Sequence, residues 1–148
     1  MSIVAIADAI AEAAHAGVPD KGGRPYIEHP RAVAALVEGD DARAAALLHD
    51  VIEDTDLTEA DLLAAGIPVH VVTAVAALTR REGQADVDYY ATVAANELAL
   101  RVKRADIANN TDPVRTARLD PATRDRLARK YAKATKLLDD FSAERFPS

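Results

Sequence analysis

The segment DDARAAALLHDVIEDT, residues 40–55, constrains the fold more than any other part of the sequence, because its middle is almost entirely apolar. A helix that is apolar nearly all round lies at the centre of a helical domain, where its neighbours bury it. Aromatic residues make up only 4% of the chain while alanine is abundant, which favours closely packed helices over a β-sandwich. We therefore predict an all-α fold with this segment as its central helix.

Other segments with helical periodicity surround the central one. The predicted helices cover residues of about 3–16, 30–39, 40–55, 58–66 and 68–80, one or two helices within 87–112, and a last helix from 121 to about 138. Asp40 or Asp41, Thr58 and Asp120 are of the residue types that cap helix N-termini. The segment GVPDKGGRPYIEHP, rich in Gly and Pro, is predicted to be a loop, and loops of this length are often functional.

Length, charge and cysteine content limit the function classes. With 148 residues and no break in composition, we predict a single domain spanning 1–148. The chain has no cysteine, so any metal must be bound by His, Asp or Glu. A formal net charge of −6 argues against a nucleic-acid partner, and no apolar run approaches the roughly 20 residues that span a membrane. We expect a soluble, cytoplasmic protein, and the sequence leaves a homo-oligomer open.

Four ionisable residues, His49, Asp50, Glu53 and Asp54, interrupt the apolar pattern near the end of the predicted central helix. In a continuous helix His49 lies above Glu53 and Asp50 above Asp54, so one imidazole and three carboxylates share one side. Acids at a helix C-terminus oppose the helix dipole, and their clustering adds to the cost. A divalent transition metal would offset that cost and would lower the pKa of a bound water. The segment therefore predicts a metal centre.

The remaining metal ligands must come from other parts of the chain. His29 stands in PYIEHP, where flanking prolines would fix a loop side chain at the start of a helix. Asp106 stands in KRADIANN, within otherwise helical and half-apolar sequence. Both residues are candidate partners of His49 and Asp50.

Three motifs, PYIEHPRAVA, ALLHDVIEDT and VKRADIANN, occur in an order that resembles the hydrolase domain of the RelA/SpoT-type alarmone hydrolases, a branch of the HD superfamily of metal-dependent phosphohydrolases. AHAGVPDKGG and RLARKYAKATKLL extend the resemblance over nearly the whole chain. The resemblance implies a compact HD-domain bundle of several helices. It also implies one metal ion per chain, usually manganese, held by His29, His49, Asp50 and Asp106.

The resemblance further implies the reaction and the roles of other residues. The family reaction removes the 3′-pyrophosphate of (p)ppGpp and gives GDP or GTP. Glu53 and Asp54 match the acidic pair that activates the water in that family. The positions that match nucleotide-contacting or pocket-lining residues of the family are Lys21, Tyr26, Lys103 and Asn110.

The departing phosphate also needs charge neutralisation, for which Lys21, Arg24 and Lys103 are candidates. His15 and His70, at the end of one predicted helix and the start of another, are expected to have structural roles. Because no synthetase or regulatory domain fits in 148 residues, the resemblance implies a stand-alone hydrolase.

Two alternative functions remain open at this point. The loop reads DKGGR where the family usually carries a basic pair, so the substrate could be another phosphorylated nucleotide, such as a dinucleotide cofactor phosphate. The protein could also be a non-catalytic, metal-containing module that binds a nucleotide or acts like an antitoxin. The presence of both Glu53 and Asp54 argues against that module, because a binder has no need of a water-activating pair.

Overall fold

The computed structural model describes residues 1–145, and its regular secondary structure is helical throughout that part. In chain order the helices are α1 (Ile3–His15), α2 (Glu28–Ala35), α3 (Asp40–Leu48), α4 (Val51–Asp54), α5 (Glu59–Ala64), α6 (Val69–Leu78), α7 (Asp86–Ala94), α8 (Glu97–Asn110), α9 (Pro113–Thr116) and α10 (Pro121–Arg145). None of these helices is both long and apolar enough to cross a membrane. The predicted all-α fold is confirmed.

Helix α3 lies at the centre of the fold, as predicted for this segment. Helices α1, α2, α6 and α8 all pack against it. Alanines on α3 allow these neighbours to approach closely. The buried residues of α3 are Ala42, Ala44, Ala45, Ala46, Leu47 and Leu48. The core forms one cluster from Ala7 on α1 to Leu138 on α10, which supports a single domain, although the extent of that domain over 1–148 stays a prediction.

The central helix is shorter than predicted because it is interrupted at His49 and Asp50. α3 ends at Leu48, and α4 begins after Asp50, which has φ −106° and ψ −3°. The carbonyl oxygen of Ala46 accepts hydrogen bonds from Nδ1 of His49 at 2.6 Å and from the backbone N–H of His49 at 3.5 Å. In a continuous α-helix this carbonyl would accept the N–H of Asp50. The prediction of one uninterrupted helix is therefore wrong, and the His49 side chain is a local cause.

The start of α3 also differs from the prediction. Its N-cap is Gly39, with φ 92°, and neither Asp40 nor Asp41 caps the helix. Both acids lie in the first turn, where the helix dipole favours negative charge. Asp41 instead lies 2.6 Å from Nε2 of His70, and this contact joins α3 to α6.

The loop between α1 and α2 is irregular, as predicted, and it is held by one carboxylate. Oδ1 of Asp20 accepts backbone hydrogen bonds from Gly22 at 2.9 Å and from Arg24 at 2.8 Å. An isolated antiparallel bridge joins Pro19 and Pro25 across the same turn. These bonds fix the backbone on both sides of the loop's only lysine, which faces the cavity described below.

In the C-terminal half, helices α7, α8 and α10 pack against one another. The segment predicted as one or two helices forms two, α7 and α8, and the side chain of Asn96 caps α8. α10 packs against both of them. The predicted caps at Thr58 and Asp120 are confirmed: Thr58 forms a capping box on α5, and Asp120 accepts from the backbone N–H of Thr123 at 3.0 Å.

Candidate functional site

A cavity of about 640 Å³ opens where the α1–α2 loop, the α3–α4 break and helices α7, α8, α9 and α10 meet. Its lining contains both acidic and basic side chains, with several aromatic rings between them. The sequence assigned ten residues to metal-binding, catalytic or substrate-binding roles. His49 is buried next to Asp50, and the other nine line this cavity: Lys21, Tyr26, His29, Asp50, Glu53, Asp54, Lys103, Asp106 and Asn110.

The four candidate metal ligands come together at the buried end of the cavity. Donor atoms of His29, His49 and Asp50 all lie within 4.8 Å of one another. Oδ1 of Asp106 lies 2.8 Å from Nε2 of His29 and 3.4 Å from Nε2 of His49. Oδ2 of Asp50 lies 3.1 Å from Nε2 of His49. The cluster thus joins the start of α2, the α3–α4 break and the middle of α8.

The hydrogen bonds of the two imidazoles indicate which nitrogen is free. Nδ1 of His49 donates to the Ala46 carbonyl at 2.6 Å, and Nδ1 of His29 donates to Oδ1 of Asn109 at 2.7 Å. Both Nε2 atoms therefore face the carboxylates, and in the neutral form of each imidazole this nitrogen carries a lone pair that can bind a metal. Nε2 of His49 is fully buried and has no hydrogen-bond partner among residues 1–145. Two lone pairs against two carboxylates fit a divalent cation between them.

The charges of the cluster also suit a cation. Burial alone would raise the pKa of Asp50 and Asp106, but the neighbouring cationic groups, His49 for the first and Lys103 for the second, lower both pKa values. Burial likewise opposes charge on His49, yet the carboxylates of Asp50 and Asp106 hold its pKa well above the usual value, so without a metal ion Nε2 carries a proton that a bound cation would displace. Both carboxylates are therefore ionised at neutral pH, and positive charge is favoured among them.

Asp106 is further held by residues of its own helix. Nζ of Lys103 lies 3.0 Å from Oδ2, and Nδ2 of Asn110 donates to Oδ1 at 3.0 Å. Burial opposes the charge on Lys103, but Asp106 raises its pKa, so the ammonium stays charged. Nζ of Lys103 also lies 5.4 Å from the ring centroid of Tyr89. The spacings i−3 and i+4 bring both partners to one face of α8.

Tyr26 contacts the cluster from the α1–α2 loop. Its hydroxyl donates to Oδ2 of Asp50, and its ring lies 4.7 Å from the ring of His15. His15 is buried at the end of α1, and burial lowers its pKa, so the imidazole is neutral at pH 7. Tyr26 therefore fixes the orientation of Asp50 as well as lining the cavity.

Glu53 and Asp54 lie on the cavity wall beyond the α3–α4 break. Oε1 of Glu53 accepts from the backbone N–H of Arg80 at 3.2 Å. Burial and the charge of Asp50 raise the pKa of Glu53. Burial, then Asp50 and Glu53, raise the pKa of Asp54 to about 6. Asp54 can thus exchange a proton close to neutral pH, and the raised pKa of Glu53 makes its carboxylate a better proton acceptor than an exposed one.

The prediction that Arg24 would neutralise a phosphate is not supported, because its guanidinium binds Glu28 at 2.9 Å and it is not part of the cavity lining. The pair is four residues apart at the start of α2, on the exposed surface. Sequence reasoning also missed several lining residues from the second half of the chain, namely Arg80, Tyr89, Tyr90, Arg115, Lys130 and Tyr131. Lys130 and Tyr131 stand in the segment RLARKYAKATKLL, but no pattern assigned a role to any of these residues, and the packing of the second half of the chain brings them to the cavity.

A helical bundle with a buried His–Asp cluster defines the class of protein. A family model described as HD domain matches residues 7–137. The chain belongs to the HD domain family. The resemblance to RelA/SpoT-type hydrolase domains is confirmed at the level of this domain.

Two curated relatives carry the name guanosine-3′,5′-bis(diphosphate) 3′-pyrophosphohydrolase. The protein of Haemophilus influenzae is 36% identical over 135 residues, covering 82% of this chain and 20% of the relative. The protein of Vibrio cholerae is 36% identical over 139 residues, covering 82% and 19%. This chain therefore spans about a fifth of the length of these relatives.

A solved structure shares the fold over its full length. It is described as a metazoan ortholog of SpoT that hydrolyses ppGpp and plays a role in starvation responses. The TM-score is 0.72 at 21% sequence identity, and the alignment covers 99% of this chain and 97% of the other. At this identity the match supports the HD-type fold, and it carries no assignment of individual residues.

Proposed function

We propose that this chain is a metal-dependent pyrophosphohydrolase that removes the 3′-pyrophosphate of (p)ppGpp and releases GDP or GTP. The observation that carries the proposal is the position of the buried His–Asp cluster at the closed end of a cavity whose wall holds Glu53 and Asp54. The names of the relatives supply the substrate class. Action as a single domain, and location in the cytoplasm, stay predictions.

The proposed cofactor is one divalent metal ion, and manganese is our first choice. His29, His49, Asp50 and Asp106 would hold it, because two imidazoles and two carboxylates suit manganese, iron or zinc. When bound, such an ion supplies Lewis acidity and lowers the pKa of a coordinated water. Tyr26 donates to Asp50, and Asn109 accepts from His29, so both residues orient ligands of the proposed site.

The proposed catalytic acids are Glu53 and Asp54. They orient the attacking water and take its proton, and their raised pKa values make both carboxylates better proton acceptors. The water oxygen bonds to the phosphorus attached to the ribose 3′-oxygen, the bond from that phosphorus to the 3′-oxygen breaks, and the 3′-oxygen gains a proton. Pyrophosphate and the 5′-phosphorylated nucleoside are the products.

The proposed substrate-binding residues are Lys21, Tyr26, Lys103 and Asn110, which all line the cavity. Lys103 stays charged at the buried end, where it can neutralise the departing pyrophosphate. Lys21 is held at the cavity by the ordered α1–α2 loop. Tyr26 presents its ring beside Asp50, and Asn110 places its amide beside Asp106.

A nucleotide hydrolysis panel with manganese tests this proposal. The purified protein is incubated with ppGpp and pppGpp, and with dinucleotide cofactors that carry an additional phosphate. We expect release of pyrophosphate with GDP or GTP from the first pair, and one metal ion per chain by elemental analysis. Turnover of only another nucleotide would overturn the substrate assignment, and tight ppGpp binding without turnover would overturn the catalytic one.

A second candidate function is hydrolysis of a different phosphorylated nucleotide, such as a dinucleotide cofactor phosphate. The observation that favours it is the outward orientation of Arg24, which removes one basic residue of the DKGGR loop from the pocket. The same panel separates the two candidates. A non-catalytic, antitoxin-like module is the third candidate, and the two acids with raised pKa values on the cavity wall argue against it.

A further inference from the structure

One wall of the cavity carries more basic side chains than the proposed reaction uses. Lys103 pairs with Asp106, and Arg80 pairs with Asp86 at 2.7 Å. Two further basic residues on this wall, Lys21 and Lys130, have no carboxylate partner in the part of the chain that the structure describes. Neither charge is therefore neutralised by an ion pair among the described residues.

The environment of Lys130, on α10, shows that these cations crowd together. Burial lowers its pKa, and the charges of Lys103, Lys21 and Arg80 lower it further. Gathering like charges on one wall costs free energy unless a bound anion compensates for it. An anion bound at this wall would neutralise the excess positive charge. The proposed substrate can supply such an anion, because it carries phosphate at two separate positions.

Arg115, on α9, extends the basic wall to the α1–α2 loop. Its guanidinium lies 3.4 Å from Oδ2 of Asp20, whose carboxylate is buried and whose other oxygen accepts two backbone N–H groups of the loop. The Asp20 carboxylate therefore fixes the direction of the Arg115 side chain. Part of the negative charge of Asp20 is already taken up by the two backbone N–H groups, so it only partly neutralises Arg115. A fixed guanidinium suits an oxyanion better than a freely moving one does.

The part of the basic wall formed by Lys21 and Arg115 extends beyond the candidate metal ligands, whereas Lys103 contacts one of them. A smaller recess adjoins the main cavity there and shares Asp20, Lys21, Asn110 and Arg115 with it. Leu119 and Leu127 complete the recess, and none of the four proposed metal ligands lines it. A ligand that reaches both the candidate metal ligands and this recess therefore suits two separated anionic groups.

We propose that Lys21, Arg115 and Lys130 form a second anion subsite, which holds the non-reacting phosphate group of a nucleotide phosphorylated at two positions. This inference rests on the proposed function, because it assigns the opposite end of the same substrate. For (p)ppGpp, the subsite takes the 5′-phosphates while the 3′-pyrophosphate lies at the proposed metal site.

Steady-state kinetics on two substrates test the subsite. The first is ppGpp, and the second is guanosine that carries the 3′-pyrophosphate but no 5′-phosphate. We expect Lys130→Gln and Arg115→Gln each to raise KM for ppGpp about three- to tenfold, in line with the loss of one charged hydrogen bond, with kcat within about twofold. KM for the second substrate should not change.

Lys136→Gln is the matched control, because Lys136 lies on the same helix, pairs with Asp140 at 3.0 Å and is exposed away from the cavity. It removes the same charge and should leave both KM values at the wild-type level. Equal effects of Lys130→Gln on the two substrates, or an effect of the control as large as that of Lys130→Gln, would overturn the subsite.

Binding of GDP and of guanosine to the manganese-loaded protein gives a readout that needs no turnover. We expect GDP to bind more tightly than guanosine, and Lys130→Gln and Arg115→Gln to reduce that difference. If wild-type protein hydrolyses neither substrate, the proposed function fails, and the GDP measurement still decides on the subsite. If GDP affinity is the same in wild type and both variants, the subsite is wrong even where ppGpp is hydrolysed.

Discussion

Oδ1 of Asp106 lies 2.8 Å from Nε2 of His29, although 77 residues separate the two along the chain. The same carboxylate accepts hydrogen bonds from Lys103 and Asn110 of its own helix, and it lies 3.4 Å from Nε2 of His49 at the break between α3 and α4. Three parts of the fold therefore meet at one buried acid. Its loss should affect metal binding and stability together.

Asp106→Ala should abolish metal retention, because it removes a proposed ligand and the carboxylate that faces both imidazoles. It should also destabilise the protein by about 3–5 kcal/mol, since it leaves the buried Lys103 unpaired. Metal content after dialysis and urea unfolding measure the two effects. Asp139→Ala removes an exposed acid that pairs with Arg104 and should change neither quantity by much. Full metal occupancy in Asp106→Ala would contradict its role as a ligand.

Glu53→Gln and Asp54→Asn should retain the metal and lose turnover, because neither acid is among the proposed ligands. Removing a group that takes a proton in the reaction lowers kcat by about 10²–10⁴-fold. Metal analysis and steady-state kinetics on the same preparations provide the measurement. Metal loss as large as in Asp106→Ala would show that these acids are ligands.

The pKa of Asp54 should depend on Glu53. In metal-free protein its carboxyl should titrate at about pH 6, because burial and then the charges of Asp50 and Glu53 disfavour ionisation. Glu53→Gln removes one of these charges and should lower the pKa of Asp54. An NMR titration of side-chain carboxyl carbons measures both values. A pKa of Asp54 that is unchanged in Glu53→Gln would show that the two acids do not interact.

The raised pKa of Asp54 also determines how the stability of the fold changes with pH. Between pH 3.8 and about 6 the folded protein holds the Asp54 proton while the unfolded chain releases it. The unfolding free energy therefore falls as pH rises through this window. In metal-free protein, Asp54→Asn should remove this decline and be the more stable form above pH 6. Thermal unfolding of both proteins at pH 4 and pH 7 tests the sign.

Manganese should stabilise the folded protein, since the clustered charges are arranged only in the folded state. At a free metal concentration 100 times the dissociation constant, linkage gives about 2.7 kcal/mol. For a chain of this size that corresponds to roughly 5–10 °C in Tm. His49→Ala should lose the shift, whereas His70→Ala, at an exposed imidazole on α6, should keep it. An equal shift in both variants would indicate binding elsewhere.

Asn109→Ala should weaken metal binding although Asn109 is not a proposed ligand. Its Oδ1 accepts from Nδ1 of His29 and thereby fixes which nitrogen is free. Loss of such a partner typically costs about 10–100-fold in metal affinity. Asn109→Asp keeps an acceptor and should restore the affinity. Metal titration of the three proteins measures the effect, and equal affinities would contradict the positioning role.

The helical fold and the centre of the site could be predicted from sequence because they depend on local patterns. An apolar run of helical length indicates a buried helix wherever it lies, which explains the agreement at α3. His29 and Asp106 stand in short motifs of their own, so each could be named before the structure placed them together. Their predicted roles as ligands are supported by the geometry and await the experiments above.

The missed features depend on interactions that no local pattern encodes. The break after Leu48 arises because the His49 side chain takes a backbone acceptor, whereas helix propensity favours continuation. Arg24 lies in the expected loop, but Glu28 four residues later binds its guanidinium at the surface. Arg115 and Lys130 reach the cavity only through the packing of the last two helices.

The break between α3 and α4 has a consequence for protein design. Residues 49–55 would not rebuild this site if they were transplanted onto a straight helix of another scaffold, because Asp50 leaves the regular helical path there. The transferable unit is the bent segment together with the carbonyl of Ala46, which holds the His49 ring in place. A designer who copied only the motif letters would obtain the right residues with the wrong directions.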